Sequence, residues 1–486
     1  MNACEEIDQY LETNRGEFTA VSDQIWDAAE LGFREYKSAR VLLDALKKHG
    51  FRTQAGLAGI PTAFVGEWGS GRPVLAILGE FDALPTLSQA TGLNEKKPLV
   101  EGGPGHGCMH NLLGTASLAA AVAARDYMEK HKIAGTLRYY GCPAEEHGCG
   151  KVFMTRAGVF QDVDCALSWH PDDCTTPWST GNSALITVDF HFTGKAAHAA
   201  RAPHLGRSAL DACELMNVGA NYLREHMPPN TKLHYAYKDA GGPAPNIVPA
   251  AACVSYVVRG PRIGDVVGVL ERVIKIAQGA ALMTETEMVY EYQDGTSEYM
   301  PNLTLCRILS DALHQVGAPR FDDEDRRIAE EMRKAIPPQN IRNRDSFMSG
   351  YTAEEAPEFF ATYPLTDRVA DMLESTATVI PSSTDVGAVS YVVPTAQIAV
   401  ACKAIGTPNH TWITTAQGKT SIGHKGMLTA GKALALGAVM ILEQDHAQQG
   451  GLMAQAKAEL MRKTGCKFVA PFPDTVQPDV EPGVTL

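Results

Sequence analysis

The periodicity of apolar residues changes character at Ser183, and that break constrains the fold more than any other feature of the 486-residue chain. Beyond it, residues 185–190 alternate as a strand, 208–224 carry helical spacing, 232–237 and 252–259 read as strands, 266–281 as a helix and 287–292 as a strand. The order β-α-β-β-α-β is that of a split βαβ, or ferredoxin-like, module. It predicts a separate unit over residues 183–297, about 115 residues long, within the usual size of a domain.

The flanking segments follow a different rule. Helical spacing runs over residues 16–50, and Val74-Leu75-Ala76-Ile77-Leu78 is an apolar run that ends in the polar Gly79-Glu80-Phe81-Asp82. A helix over 112–128, a strand over 136–141, a helix after Lys151 and a strand over 163–169 come next. Beyond the inserted unit, helical spacing returns after Asn302, residues 395–401 form a buried strand, and residues 423–442 form the closing helix. Strands alternating with helices predict an α/β sheet domain whose two parts, residues 1–182 and 298–470, are interrupted by the insert. Residues 320–375, charged and without strand alternation, read as a peripheral insertion, and residues 471–486, rich in Pro and Asp, as a mobile tail.

Composition narrows the class of function. The net charge of −13 excludes sequence-independent nucleic-acid binding, which depends on clustered Lys and Arg neutralising phosphates. No apolar run approaches the roughly 20 residues that span a bilayer, so no membrane association is expected. The acidic start Met-Asn-Ala-Cys-Glu-Glu lacks a secretory pattern, so the expected location is cytoplasmic. Eleven cysteines without short regular spacing read as buried thiols rather than disulfides.

Four polar clusters then recur at places where open α/β sheets hold ligands. His106-Gly107-Cys108-Met109-His110 lies between a Gly-rich loop and a helix, and Cys108 with His110 offers thiolate and imidazole donors to a borderline divalent metal. Gly141-Cys142-Pro143-Ala144-Glu145-Glu146 ends a strand, and its adjacent carboxylates point in different directions. One can hold a metal while the other serves a water as general base. His170 ends the next strand. Either His410, in Gly406-Thr407-Pro408-Asn409-His410, or His424, at a helix start, supplies a last ligand. Repetition of one strand-end logic points to a shared site, and the mixed donors suit manganese and zinc alike.

In this order the clusters resemble the family of di-metal aminoacylases, carboxypeptidases and auxin-conjugate amidohydrolases along nearly the whole chain. The resemblance is carried by His106-Gly107-Cys108-x-His110-Asn111-Leu112-Leu113-Gly114-Thr115, by Pro203-His204-Leu205-Gly206-Arg207-Ser208 and by Thr420-Ser421-Ile422-x-His424-Lys425-Gly426-Met427. It implies an exopeptidase-like catalytic domain with a mixed sheet, and an inserted lid that also dimerises. It further implies two divalent ions, Mn or Zn, held by Cys108, His110, Glu146, His170 and His410, with Glu145 as the base. His198, in Gly194-Lys195-Ala196-Ala197-His198, would reach across a dimer to an oxyanion, and Asn246 with Arg259 would hold a substrate carboxylate. The implied substrate is an aromatic acyl-glutamate or a related N-acyl amino acid, with an auxin-type acyl-aspartate conjugate or a dipeptide as the alternative. The implied assembly is a homodimer or a heteromer with a related subunit, in which this chain could also serve mainly as a partner. Met109 departs from the pattern, which has glycine there; a positive φ at that position would strain a methionine.

Overall fold

The computed structural model describes residues 1–342, 350–373 and 379–486. Strands β1 (Arg52–Ala55), β2 (Phe64–Ser70), β3 (Val74–Glu80), β4 (Gly135–Cys142), β5 (Cys165–Asp172) and β6 (Thr176–Trp178) precede the short β7 (Gly181–Asn182). Strands β8 (Ala184–Thr193), β9 (Lys232–Asp239), β10 (Ala251–Gly260) and β11 (Glu287–Thr296) follow, then β12 (Val379–Ile380) and β13 (Thr395–Ala401). The larger sheet has the order β1-β2-β4-β3-β5-β13-β6. Its centre is parallel, β4 to β3 to β5 to β13, while the edge pairings β1–β2, β2–β4 and β13–β6 are antiparallel.

Strand β3 shows why this sheet is covered on both faces. All seven of its residues are buried, and alternate side chains enter different cores. Leu75 and Ile77 join Leu137, Leu167 and Ile398 beneath the helices His110–His131 and Ser421–Ala447. Val74, Ala76 and Leu78 join Tyr140, Val152 and Phe153 on the other side. A continuous apolar run is what a two-sided parallel strand requires, and each buried aliphatic side chain contributes about 1.5–3 kcal/mol.

The insert forms a separate antiparallel sheet in the order β11-β8-β10-β9. The helices Ala209–Leu223 and Ile263–Thr284 cover one face and close a second core over Ile186, Val188, Phe190, Val254, Tyr256 and Val258. The opposite face bears Leu185, Thr187, Ser255, Arg259, Lys238 and Gln293, which look into the main cavity. Glu298 links the two units by accepting from Ile263 N at 2.8 Å and from the Tyr391 hydroxyl at 2.8 Å.

Several sequence expectations change. The helix Ser421–Ala447 does not close the chain, because Gly451–Thr464 forms another behind it, burying Leu452, Ala456 and Leu460. Ser421–Ala447 is also long and apolar enough to cross a membrane, contrary to the expectation that no such run exists; 89% of its most apolar window is buried inside the protein, as a core helix would be. The tail is not loose: Phe472 is 5% exposed and packs on Phe153, and Arg156 donates to Val476 O at 2.7 Å. In the segment read as an insertion, helices Asp323–Arg333, Pro338–Arg342 and Ala356–Thr362 are present, and Gln339 and Asn340 line the cavity; residues 343–349 and 374–375 of that reading lie outside the described residues. All eleven cysteines are free.

Candidate metal centre

The parallel strands β3, β4, β5 and β13 all end at one edge, and each delivers chemistry there. Glu80 is the last residue of β3, Glu145 and Glu146 follow β4, His170 lies near the end of β5, and His410 comes nine residues after β13. Cys108 and His110 enter from the turn that starts the His110–His131 helix. That turn can pack closely because Gly105 has no side chain; a Cβ there would sit 2.2 Å from the Leu87 carbonyl oxygen. The backbone ties two of these loops, His410 N donating to Gly107 O at 2.9 Å.

Donor atoms of Cys108, His110 and His170 form one group, and those of Cys108, Glu146 and His410 another, all within 4.8 Å of one another inside each group. Cys108 is common to both, as a thiolate touching two ions would be. Cys108 Sγ lies 3.3 Å from His170 Nε2, and His410 Nε2 lies 3.3 Å from Glu146 Oε2. His110 Nε2 is 3.9 Å from Glu145 Oε2 and 4.0 Å from Glu146 Oε1. His110 Nε2 and Glu146 Oε1 are both buried without a hydrogen-bond partner, an arrangement that costs about 1–3 kcal/mol for each atom unless something else binds them. A divalent cation fits: these are its preferred donors, and His110 Nε2, 3.9 and 4.0 Å from the carboxylates of Glu145 and Glu146, is too far from them for a hydrogen bond.

The electrostatics point the same way. Burial and the charge of Glu146 push the Cys108 thiol up to about 12, and burial with the neighbouring His110 holds His170 down at about 4. Burial raises Glu146 to about 7 and Glu145 well above the ordinary carboxylate range. Burial thus works against the anions of Cys108, Glu145 and Glu146 and against a charged His170, whereas at His110 the neighbouring Asp82 and Cys108 outweigh burial and raise the imidazole well above its ordinary range, so this acidic pocket favours positive charge among its donors.

Residues that the sequence reading did not single out as functional shape the centre. Asp82 Oδ1 accepts from His110 Nδ1 at 2.8 Å while its Oδ2 accepts from Glu146 N at 2.9 Å. Lys151, fully buried, bridges Glu80 Oε1 at 2.6 Å and Asp385 Oδ1 at 2.5 Å. Glu80 Oε2 in turn lies 3.4 Å from His110 Nε2. The signal for Asp82 and Glu80 was their position at the end of an all-apolar strand; nothing local marks Asp385.

Three residues around the donors adopt a left-handed backbone that side chains disfavour: Met109 at φ 60°, Ala144 at 56° and His410 at 58°. The strain expected at Met109 is therefore present, and burial of its side chain in the core holds it there. His424 stands elsewhere, its Nε2 2.9 Å from Asp23 Oδ1, so of the two late histidines only His410 joins the donors.

The centre opens into a cavity of about 1060 Å³ lined by Glu145, Glu146, His170 and His410 and, from the lid sheet, by Arg259. Arg259 Nη1 donates to Ser383 Oγ at 3.0 Å. His198 and Asn246 do not line this cavity. They are exposed on adjoining loops of the insert, where Ala199 N donates to Asn246 O at 3.0 Å.

This architecture, a metal-binding α/β domain carrying an inserted lid, defines a class, and the chain belongs to the M20 peptidase family. Residues 180–283 match the family model described as a peptidase dimerisation domain. Along its length the chain is 42% identical over 475 residues to one subunit of the p-aminobenzoyl-glutamate hydrolase of Escherichia coli, covering 97% of this chain and 98% of that protein. Among solved structures, it shares its fold with an aminobenzoyl-glutamate utilization protein from Klebsiella pneumoniae, at a TM-score of 0.57 and 18% identity over 90% of this chain and 98% of that one. A dinuclear metal-binding peptidase of the M20 family from Bacillus subtilis aligns at a TM-score of 0.54 and 17% identity, over 88% and 98%.

Proposed function

We propose that the chain hydrolyses the amide bond of p-aminobenzoyl-glutamate or a similar N-acyl amino acid, releasing an aromatic acid and glutamate. The observation that carries the metal-dependent reading is the pair of donor groups sharing Cys108, with two buried donor atoms left without partners. The substrate follows from the relative that is 42% identical across nearly the whole chain.

In this reading Cys108, His110, Glu146, His170 and His410 hold two divalent ions, Mn or Zn. Bound there, the ions would polarise the scissile carbonyl and make a water acidic near neutral pH. Glu145, adjacent to the ligand Glu146 but free to face the water, accepts its proton as the carbon is attacked and returns it to the leaving amine. Arg259, which lines the same cavity, binds the glutamate α-carboxylate through its planar fork.

His198 and Asn246, held together outside this chain's own cavity, serve a neighbouring subunit, where His198 donates to the developing oxyanion and Asn246 to the substrate carboxylate. The assembly is a homodimer or a heteromer with a related subunit, joined through the inserted lid of residues 183–297, with residues 1–182 and 298–470 forming the catalytic domain. It acts in the cytoplasm, where eleven unpaired thiols stay reduced.

The test is release of p-aminobenzoate by the purified chain, with Glu145→Gln measured beside it. Cleavage that falls about 10²–10⁴-fold in the variant while its metal content is unchanged supports the assignment. Equal cleavage by both proteins overturns the role of Glu145, and a metal-loaded chain that cleaves only other amides overturns the substrate.

A further inference from the structure

A second cluster of metal-ligand residues stands on the lid sheet, apart from the centre described above. Asp189 and His191 lie on β8, Cys253 on β10 and Glu291 on β11. The register sets Cys253 opposite His191 and Glu291 opposite Asp189, so side chains of three adjacent strands converge on the face opposite the lid helices. None of the four lines the main cavity; they sit just beyond the stretch of sheet where Thr187, Ser255 and Gln293 do.

The donor atoms of Asp189, His191 and Cys253 are all within 4.8 Å of one another. His191 Nε2 is 4.0 Å from Cys253 Sγ and 3.9 Å from Glu291 Oε2. Ligands about 2.0–2.3 Å from a tetrahedral zinc stand roughly 3.3–3.6 Å apart, so the two His191 contacts need to shorten by about half an ångström to close on one ion, and the Asp189 contacts by no more than about 1.5 Å, within reach of side-chain rotation. Asp189 supplies an independent sign. It is 2% exposed; Oδ2 pairs with Lys238 while Oδ1, buried, has no hydrogen-bond partner. A buried carboxylate oxygen left without a donor is rare, and a cation satisfies it directly.

The geometry points to a structural site for a single divalent transition ion, zinc in type, held by Asp189, His191 and Cys253 with Glu291 as fourth ligand. Thiolate and imidazole select against magnesium and calcium, which prefer all-oxygen shells. Lys238 keeps its place on Asp189 Oδ2, and the ion takes the other oxygen. Occupied, the site would staple β8 to both its neighbours close to Thr193, where β8 leads into the loop carrying His198.

The experiment counts metal in the full-length chain equilibrated with buffered free zinc and separated from excess, comparing wild type with His191→Ala and Cys253→Ser. Each variant is expected to hold one zinc fewer per chain, with amide hydrolysis unchanged. Because His191 is partly exposed, its variant keeps the test open should Cys253→Ser fold poorly. In a Cys108→Ala background, Co²⁺ should give a thiolate charge-transfer band that Cys253→Ser abolishes. Equal zinc in wild type and the folded His191→Ala chain, or no cobalt–thiolate band in the Cys108→Ala chain, overturns the proposal.

Discussion

His110 Nδ1 stands 2.8 Å from Asp82 Oδ1, and both side chains are completely buried. An ionised carboxylate only accepts, so Nδ1 keeps its proton, and Nε2, which faces the donor cluster, is the nitrogen that would give up a proton to present its lone pair to a bound cation. Asp82 also takes Glu146 N on its second oxygen, and one residue therefore sets the orientation of ligands from two loops.

Asp82→Asn keeps the shape but offers an NH₂ group to His110 or Glu146 N where an acceptor is required. Loss of such a partner typically costs 10–100-fold in metal affinity, and chelator competition should show a loss of about that size. The fold should survive, seen as an unchanged far-ultraviolet dichroism spectrum.

Lys151 is fully buried between Glu80 and Asp385. Lys151→Met removes the cation and strands two carboxylates in the interior, so urea unfolding should report a loss of about 3–5 kcal/mol. The double change Lys151→Met with Asp385→Leu should recover part of that loss, because it leaves only one carboxylate uncompensated.

Glu35 gives the pH dependence. Burial, and then the charge of Asp82, push its carboxyl up to about 8, and the side chain accepts from Ala144 N and the Thr62 hydroxyl. An acid whose pKa is higher folded than unfolded binds more protons in the native state, so its contribution weakens stability as pH rises from about 4.5 towards 8. In chelator-treated protein, the Tm of wild type should fall relative to Glu35→Gln across that window. Parallel curves would mean that Glu35 is ionised throughout.

The two late histidines separate by their partners. His410→Ala should lose metal, since His410 Nε2 faces Glu146 Oε2 at 3.3 Å. His424→Ala should keep its metal content, because His424 pairs with Asp23 instead of a donor of the centre. Elemental analysis of the two variants reads this directly.

The legible parts of the sequence were those where periodicity and chemistry coincided. Strand β13 was readable to the residue because Thr395–Ala401 is a mostly apolar run buried on both faces, and the insert was readable because its strands alternate over a one-sided core. The donors Cys108, Glu146 and His170 were marked by their place at strand and loop ends. Lys151 and Asp385 were not, because the same letters usually denote a solvated helix start and a solvated loop, and only tertiary burial reveals them as partners. The helix Gly451–Thr464 has a helical signal of its own, with Leu452, Ala456 and Leu460 recurring at four-residue intervals. The tail misled by composition, since Pro and Asp mask the one anchoring aromatic, Phe472. Arg259 and Asn246 looked like one functional pair in sequence, but the fold sends Arg259 into the cavity and leaves Asn246 exposed beside the His198 loop.

The most direct test of the two-ion amidohydrolase is recovery of activity from the metal-stripped chain. Wild type and Cys108→Ala are freed of metal, supplied with Mn²⁺ or Zn²⁺, and assayed for p-aminobenzoate released from p-aminobenzoyl-glutamate. The account predicts that stripped wild type is inactive and regains cleavage with metal, while Cys108→Ala, lacking the donor common to both groups, does not. Undiminished cleavage by the stripped wild type, or full recovery by Cys108→Ala, would contradict it.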